Sequence, residues 1–116
     1  MPHISVHCDS PDLGQLLSVR LLPPARPGEM VVEVTGGVDA YTAPLLDACL
    51  RSQAGRRGVR KVVVDLRGVT SFGLDGVTAL ARASRRCRTH RARLTVRTGG
   101  NRDVERSLAD LRLSAG

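Results

Sequence analysis

The hydrophobic positions near the start of the chain alternate with polar ones, which is typical of strands. A loose alternation over residues 16–22 predicts a first strand, and the β-branched run 30–35 predicts a second. The segment 23–28, which holds three prolines and a glycine, forces a turn between them, so we expect the two strands to be antiparallel. Gly36 and Gly37 are expected to end the second strand.

The next stretch spaces its apolar residues as a helix does. Thr42 can cap such a helix, and Pro44 is tolerated in its first turn because its missing N–H has no partner to lose there. The residues that then share one helical face are Leu45, Leu46, Cys49 and Leu50. Gly55 and Gly58 end the helix, and the apolar run 61–66 predicts a strand that is buried on both faces.

Helix and strand continue to alternate in the last third of the chain. A second helix is predicted over residues 75–89, and the residues expected to face inward are Leu74, Val77, Leu80, Ala81 and Ser84. A strand at 94–96 follows, and Asn101 caps a third helix. The apolar face of this third helix consists of Val104, Leu108 and Leu111. We therefore predict an α/β fold, with a central mixed sheet of four to five strands, an N-terminal β-hairpin and helices packed against the sheet.

Size and composition fit a single globular domain. The chain has 116 residues, of which 41% are hydrophobic and 25% charged. Prolines and acids in residues 1–13 indicate a flexible N-terminal tail, and residues 14–116 are expected to form the domain. The start of the chain lacks the apolar segment of a signal peptide, and no apolar run approaches the roughly 20 residues of a membrane span. We therefore expect a cytoplasmic protein that does not enter a membrane.

Residues that could carry catalysis or bind a metal are sparse. The three cysteines, Cys8, Cys49 and Cys87, form no CxxC pair, so reduced thiols are expected rather than a zinc site or disulfides. His3 and His7 with Cys8 could bind a metal weakly, but a flexible tail explains them better. The sequence has no phosphate-binding glycine loop and no acidic cluster typical of a phosphoacceptor site. We predict a protein-binding domain that is not an enzyme and uses no metal or cofactor.

The net charge of +7 comes almost entirely from arginine, since Lys61 is the only lysine. The segment 82–97 contains no acid and carries Arg82, Arg85, Arg86, Arg88, Arg91, Arg93 and Arg97. A solvated face is the first interpretation, an acidic protein partner the second and nucleic acid the third. Aromatic residues make up 2% of the chain, which leaves a nucleic-acid binder almost nothing on which to stack bases.

Two segments carry more information than the composition does. Residues 34–45 have the sequence VTGGVDAYTAPL, and residues 62–80 have the sequence VVVDLRGVTSFGLDGVTAL. Together they resemble the STAS domain of bacterial anti-sigma-factor antagonists. In that family a strand ends in G-x-x-D-x-x-T-A, and a V-V-x-D-L strand leads into a D-S-S-G-L turn where the second helix starts. The resemblance covers roughly residues 16–112 and implies a STAS-like fold.

The resemblance also implies a mode of action, known as partner switching, that regulates transcription. A STAS antagonist binds an anti-sigma factor that is often also a serine kinase, and thereby releases the sigma factor. The kinase phosphorylates a serine at the start of the second helix, and the added charge ends the binding. The contact surface implied here joins the loop 39–44 to the turn 72–78 and comprises Asp39, Tyr41, Thr42, Phe72, Gly73, Leu74, Asp75, Gly76 and Thr78.

The sequence departs from the family pattern at the phosphorylation site. Residues 73–76, GLDG, stand where the family has Asp-Ser-Ser-Gly, so Asp75 occupies the phosphoacceptor position. Asp75 can cap the second helix by accepting from the N–H of Val77 or Thr78, and it can supply a fixed charge that imitates phosphoserine. Ser71 and Thr78 are alternative phosphorylation sites, although hydroxyls near helix starts usually bond to the backbone.

Two further residues of the first segment have open roles. Asp39 either bonds to the backbone of its own loop or contacts the partner, and Tyr41 is a candidate interface anchor. The leading hypothesis is thus a STAS regulator that binds an anti-sigma factor or a related serine kinase. The alternatives are a basic nucleic-acid-binding domain and a STAS scaffold that is insensitive to kinases. The oligomeric state is not indicated.

Overall fold

The strands of the domain form one mixed sheet. A computed structural model describes residues 4–7, 17–22, 26–109 and 114–115. In chain order the elements within these ranges are β1 (Ile4–His7), β2 (Leu17–Leu22), β3 (Glu29–Val38), α1 (Ala43–Ala54), β4 (Lys61–Phe72), α2 (Leu74–Thr89), β5 (Arg93–Arg97), α3 (Arg102–Ser107) and β6 (Ser114–Ala115). The strand order follows the chain, with antiparallel pairing from β1 to β3 and parallel pairing from β3 to β6. The predicted α/β fold with a mixed sheet and an N-terminal hairpin is confirmed, and a short strand is added at each edge.

One of these edge strands lies where a flexible tail was expected. Ile4–His7 runs antiparallel to β2, with Ile4 opposite Leu21 and His7 opposite Ser18. This pairing covers an edge of β2 that would otherwise present unpaired backbone groups. The remainder of residues 1–13, which includes His3 and Cys8, lies outside the described residues.

β3 extends further than the glycine pair at its end predicted. Gly36 pairs with Val69 of β4 and Gly37 pairs with Ser71, so the strand continues to Val38. Gly36 has a φ of +102°, a backbone conformation that side chains disfavour, which explains why glycine is needed there. Gly36 and Gly37 therefore allow an irregular continuation of the strand, and the prediction that they end it is wrong.

β4 is twice as long as the predicted run 61–66. Its first part is buried on both faces from Val62 to Leu66, as predicted. The pairing of β4 with β3 then shifts register twice. The first shift lies between the pairs Asp65–Glu33 and Gly68–Thr35, and the second lies between Val69–Gly36 and Ser71–Gly37. Each shift adds one residue to β4 and changes which positions face the core. The inward residues after Leu66 are consequently Val69 and Phe72.

The helices that connect the parallel strands pack against each other and against the sheet. α1 buries Leu46, Cys49 and Leu50 and leaves Leu45 half-buried, close to the predicted face. The buried residues of α2 are Gly76, Ala79, Leu80, Ala83 and Cys87. The prediction of an inward Leu74 is wrong: the side chain is 79% exposed at the first residue of the helix. Val77, Ala81 and Ser84 are half-buried at the edge of the packed face.

The short helix α3 is attached to the second half of β4. Asn101 accepts a hydrogen bond from the N–H of Val104 (3.4 Å), which confirms the predicted cap, and its side-chain amide donates to the carbonyl of Val69 (2.8 Å). The hydroxyl of Ser107 donates to the carbonyl of Phe72 (2.9 Å). Val104 is buried and Leu108 half-buried against the core, whereas Leu111 lies outside the described residues.

A buried carboxylate lies on the sheet face opposite the core. Side chains alternate along β4, so Asp65 points away from Val64 and Leu66. The Arg67 guanidinium donates hydrogen bonds to both carboxylate oxygens of Asp65, with Nε–Oδ1 at 3.0 Å and Nη2–Oδ2 at 2.8 Å. Burial by itself raises the pKa of Asp65, but the hydrogen bonds and charge of Arg67 outweigh it and hold the pKa below its ordinary value.

The fold predicts unequal costs for truncating two leucines that are eight residues apart. Leu66→Ala removes a fully buried side chain and should lower the free energy of unfolding by about 2–5 kcal/mol. Leu74→Ala, at an exposed position, should change it by less than about 0.5 kcal/mol. Urea unfolding followed by circular dichroism measures both. Equal losses would contradict the exposure of Leu74.

Asp65 should make the free energy of unfolding depend on pH in the acid range. Because its pKa is lowered in the folded state, its contribution is complete above the ordinary aspartate pKa of about 3.9 and is lost as the pH falls through the lower, folded value. Near neutral pH, Asp65→Asn should therefore cost about 1–3 kcal/mol, the range for an unmade charged hydrogen bond. Unfolding titrations at descending pH should show the variant and the wild type converging in the acid range, and a constant difference would contradict this assignment.

Candidate functional site

Two chain segments are brought side by side where β3 and β4 end. Val38 and Phe72 are paired at the ends of these strands, and the N–H of Gly73 donates to the carbonyl of Val38 (3.0 Å). The loop that leads into α1 therefore starts next to the first turn of α2. These are the two segments whose sequence pattern indicated a site.

The loop between β3 and α1 is organised by Asp39. Its Oδ1 accepts hydrogen bonds from the N–H groups of Tyr41 (2.9 Å) and Thr42 (3.0 Å). Thr42 returns the interaction, because its hydroxyl accepts from the N–H of Asp39 (2.9 Å) and donates to the carbonyl of Gly37 (2.8 Å). The N–H donors of Thr42 and Tyr41 lower the pKa of the Asp39 carboxyl. Of the two roles considered for Asp39, bonding to its own loop is confirmed.

Thr42 does not cap α1 in the predicted way. It occupies the N-cap position, but its side chain makes no hydrogen bond to the helix, since the hydroxyl is held by Gly37 and Asp39. The helix loses little, because Pro44 in its first turn has no N–H to satisfy. This buried threonine thus stabilises the loop by hydrogen bonds and does not cap the helix.

Asp75 does not cap α2 either. The helix begins at Leu74, so the N-cap is Gly73 and Asp75 lies inside the first turn. No side chain caps this terminus, and the carbonyl of Gly73 accepts from the N–H groups of Gly76 (3.0 Å) and Val77 (3.2 Å). The Asp75 side chain is exposed, and its charge acts on the helix only through the helix dipole. The predicted capping role for Asp75 is wrong, because the N-cap lies two residues earlier in the chain.

Gly76 brings α2 into direct contact with the strand ends. A Cβ at this position would lie 2.8 Å from Cγ1 of Val38 and 2.8 Å from Cε1 of Phe72, closer than side chains approach one another. Gly76 is therefore the residue that lets the first turn of the helix rest on this pair. The close contact fixes Asp75 and Leu74 relative to the Asp39 loop.

The surface above this contact exposes apolar groups. Tyr41 is 77% exposed and Leu74 is 79% exposed, and they are the large hydrophobic residues exposed within the described ranges. A groove of about 220 Å³, which we call the loop groove, lies between the starts of α1 and α2. Its lining consists of Ala40, Ala43, Pro44, Asp47, Asp75, Thr78, Ala79 and Arg82.

The predicted site residues fall into an exposed group and a buried group. The exposed residues are Asp39, Tyr41, Gly73, Leu74, Asp75 and Thr78. Thr42, Phe72 and Gly76 are buried and support the surface from beneath. Sequence reasoning missed Asp47 and Arg82, which lie one turn further along α1 and α2, because helical spacing alone does not say which exposed positions of two helices share a groove.

The two alternative phosphorylation sites differ in their surroundings. The hydroxyl of Thr78 donates to the carbonyl of Leu74 (3.1 Å), a bond within the helix. Ser71 is exposed on β4, where its Oγ would lie 2.9 Å from a Cβ placed on Gly37. Their modification stays a prediction.

The described ranges show no metal site and no membrane-spanning helix. These residues contain no group of three or more His, Cys, Asp and Glu arranged to hold a metal ion. None of the helices placed there has the length and apolar character that crossing a bilayer requires. Cys49 and Cys87 are free and buried, and burial raises the pKa of both thiols.

Comparison with known proteins gives consistent matches. A family model described as "Mlab, STAS domain" matches residues 21–114. An anti-sigma factor antagonist from Mycobacterium paratuberculosis has a TM-score of 0.69 at 22% identity, over 88% of this chain and 80% of that one. The anti-sigma factor antagonist SpoIIAA of Bacillus, in its unphosphorylated form, has a TM-score of 0.67 at 12% identity, over 84% of this chain and 86% of that one.

A third structure is the STAS domain of an antisigma-factor antagonist from Rhodobacter sphaeroides. Its TM-score is 0.60 at 20% identity, over 76% of this chain and 91% of that one. No curated protein matches the sequence significantly. At these identities the structural likeness shows a shared fold, and the family match extends over most of the chain.

The Asp39 network predicts a difference between two substitutions. Asp39→Ala removes the acceptor for two N–H groups and should lower the melting temperature, whereas Asp39→Asn keeps an oxygen in place and should lower it less. Asp103→Ala, at an exposed acid in α3, controls for the loss of one negative charge. Thermal unfolding measures all three, and equal melting temperatures for Asp39→Ala and Asp39→Asn would contradict the hydrogen-bonding role.

Proposed function

The chain belongs to the STAS domain family, and we propose that it is a cytoplasmic bacterial regulator that binds an anti-sigma factor or a related serine kinase. By occupying that partner it would release a sigma factor; three of its structural neighbours are anti-sigma factor antagonists. The observation that carries the proposal is the exposure of Tyr41 and Leu74 on two segments that the β3–β4 pairing holds together.

Tyr41 and Leu74 have the properties of interface anchors. Interfaces concentrate their binding energy in a few large side chains that are surrounded by polar groups, and tyrosine is enriched among them. Here the polar surroundings are Asp39, Asp75 and Thr78, all exposed. A protein partner that covers both apolar side chains would remove them from water and would also meet the charges of Asp39 and Asp75.

Asp75 is proposed to act as a permanent charge at the position of the family's phosphoserine. Asp75 makes no capping hydrogen bond, and its exposure in the loop groove leaves the charge available to a partner. Aspartate carries one negative charge where a phosphate carries about 1.5 to 2, so the imitation is partial. The proposed consequence is a regulator that is biased toward its non-binding state and not switched by a kinase at this position.

The alternatives make different demands on the surface. A nucleic-acid-binding domain would depend on the arginines, and its affinity would fall steeply with salt. A STAS scaffold would keep the apolar anchors but would bind with or without a charge at Asp75. Neither alternative uses Tyr41, Leu74 and Asp75 together.

The test is quantitative capture of partners from an extract of the source cells by wild type, Asp75→Ser and Asp75→Ala, with mass spectrometry of the captured proteins. Both variants should capture an anti-sigma factor or serine kinase about tenfold better than wild type, because like charges brought together oppose association. Adding Leu74→Ala to Asp75→Ala should abolish the gain while leaving the fold intact.

Two results would contradict parts of the proposal. Equal capture by wild type and both Asp75 variants would show that the carboxylate does not oppose binding, and the proposed phosphoserine imitation would fail. Capture of no anti-sigma factor or kinase by any variant would remove the proposed partner class.

A further inference from the structure

A second groove, distinct from the loop groove, runs between the later turns of α1 and α2. We call it the arginine groove; its volume is about 310 Å³. The charged and titratable residues that line it are Asp47, Arg51, Arg82, Arg85, Arg86 and His90. It therefore presents four guanidinium groups and one carboxylate to solvent.

The charges in the arginine groove are poorly compensated. Asp47 lies 3.8 Å from Arg51, and within the described ranges Arg82, Arg85 and Arg86 have no acid within salt-bridge distance. The dipole of α2 favours cations in its last turn, which accounts for Arg86. It does not account for Arg82 and Arg85, which lie further from the helix end and line the same groove.

The residue that follows α1, Gly55, lies against two residues of the arginine groove. A Cβ on Gly55, the residue after this helix, would lie 3.3 Å from Nε2 of His90 and 3.5 Å from the guanidinium of Arg86. Gly55 therefore lies against the side chains of two groove residues, His90 and Arg86. Asp47 and Arg82 line both the arginine groove and the loop groove, so the two grooves are adjacent.

We propose that the arginine groove binds an acidic polypeptide segment of the protein partner. The inference deepens the proposed function and rests on it, because it assigns the chemistry of the partner that would contact Tyr41 and Leu74. A segment with several Asp or Glu side chains complements three arginines that lack acidic neighbours. Its continuation into the loop groove would lead directly to the apolar anchors.

A polypeptide fits this groove better than a nucleic acid does. Its lining contains no Phe, Tyr or Trp, which leaves the His90 ring as its aromatic surface for base stacking, and Asp47 would repel a phosphate backbone that follows the groove. A peptide can place carboxylates beside the arginines and leave a neutral residue beside Asp47. The arginine groove also adjoins the loop groove, whose lining residues Ala40 and Asp75 are chain neighbours of Tyr41 and Leu74, an arrangement expected of a protein interface.

Fluorescence anisotropy with a fluorescein-labelled octaglutamate peptide tests the groove without the natural partner. Arg85→Glu/Arg86→Glu should raise the Kd about tenfold or more, because each change replaces an attraction by a repulsion. Arg57→Glu/Arg88→Glu changes the net charge equally at exposed positions that do not line the groove, and it should raise the Kd by less than about twofold, because these side chains are not in its lining and exposed charges are screened by salt. Circular dichroism of both variants confirms the fold.

Three results would overturn the inference: no binding of octaglutamate to the wild type, equal weakening by the two double variants, or tighter groove-dependent binding of labelled octathymidylate. The first would leave the groove a solvated surface, the second would reduce its effect to net charge, and the third would assign it to nucleic acid. Because the titration needs no natural partner, a failed capture experiment would count against the proposed function alone.

Discussion

The candidate site depends on the parallel pairing of β3 with β4 and on the two bulges that this pairing contains. The register set by Glu29 and Lys61, continued without bulges, would place Thr70 opposite Val38. The two additional residues in β4 move Phe72 into that position, where Val38 and Phe72 together form the base on which Gly76 rests. Bulges commonly re-aim side chains at the end of a strand, and here they align two segments that are far apart in the sequence.

The chain's only phenylalanine and only tyrosine both belong to this site, in opposite roles. Phe72 is buried beneath the first turn of α2, and Tyr41 is exposed on the neighbouring loop. The core elsewhere consists chiefly of valine and leucine side chains, which pack between the sheet and the helices. Both aromatic residues therefore lie at one end of the sheet, one in its core and one on its surface.

Periodicity predicted the elements well and their ends poorly. The β-branched run in β4 and the apolar spacing of α1 specify a buried strand and an amphipathic helix, because burial has to follow the period of each element. The roles of Leu74 and Asp75, by contrast, depend on whether the N-cap of α2 is Gly73 or Asp75, a difference that helix propensity does not resolve. The bulges in β4 were equally unpredictable, since they arise from pairing with β3 and interrupt the alternation that a sequence pattern can show.

The distribution of charge along the two adjacent grooves gives an orientation to any acidic partner segment. Asp75 lines the loop groove, and Arg85 and Arg86 line the arginine groove together with His90. A segment that carries carboxylates is repelled in the first groove and attracted in the second, so its acidic part must lie toward His90 and its apolar part toward Tyr41. Attraction between exposed charges weakens as salt screens it, whereas burial of apolar area does not depend on that screening. A permanent carboxylate at Asp75 would then weaken binding most for partners that place an acid beside the apolar anchors. Asp75 would thus determine which partner is accepted as well as how tightly that partner is held.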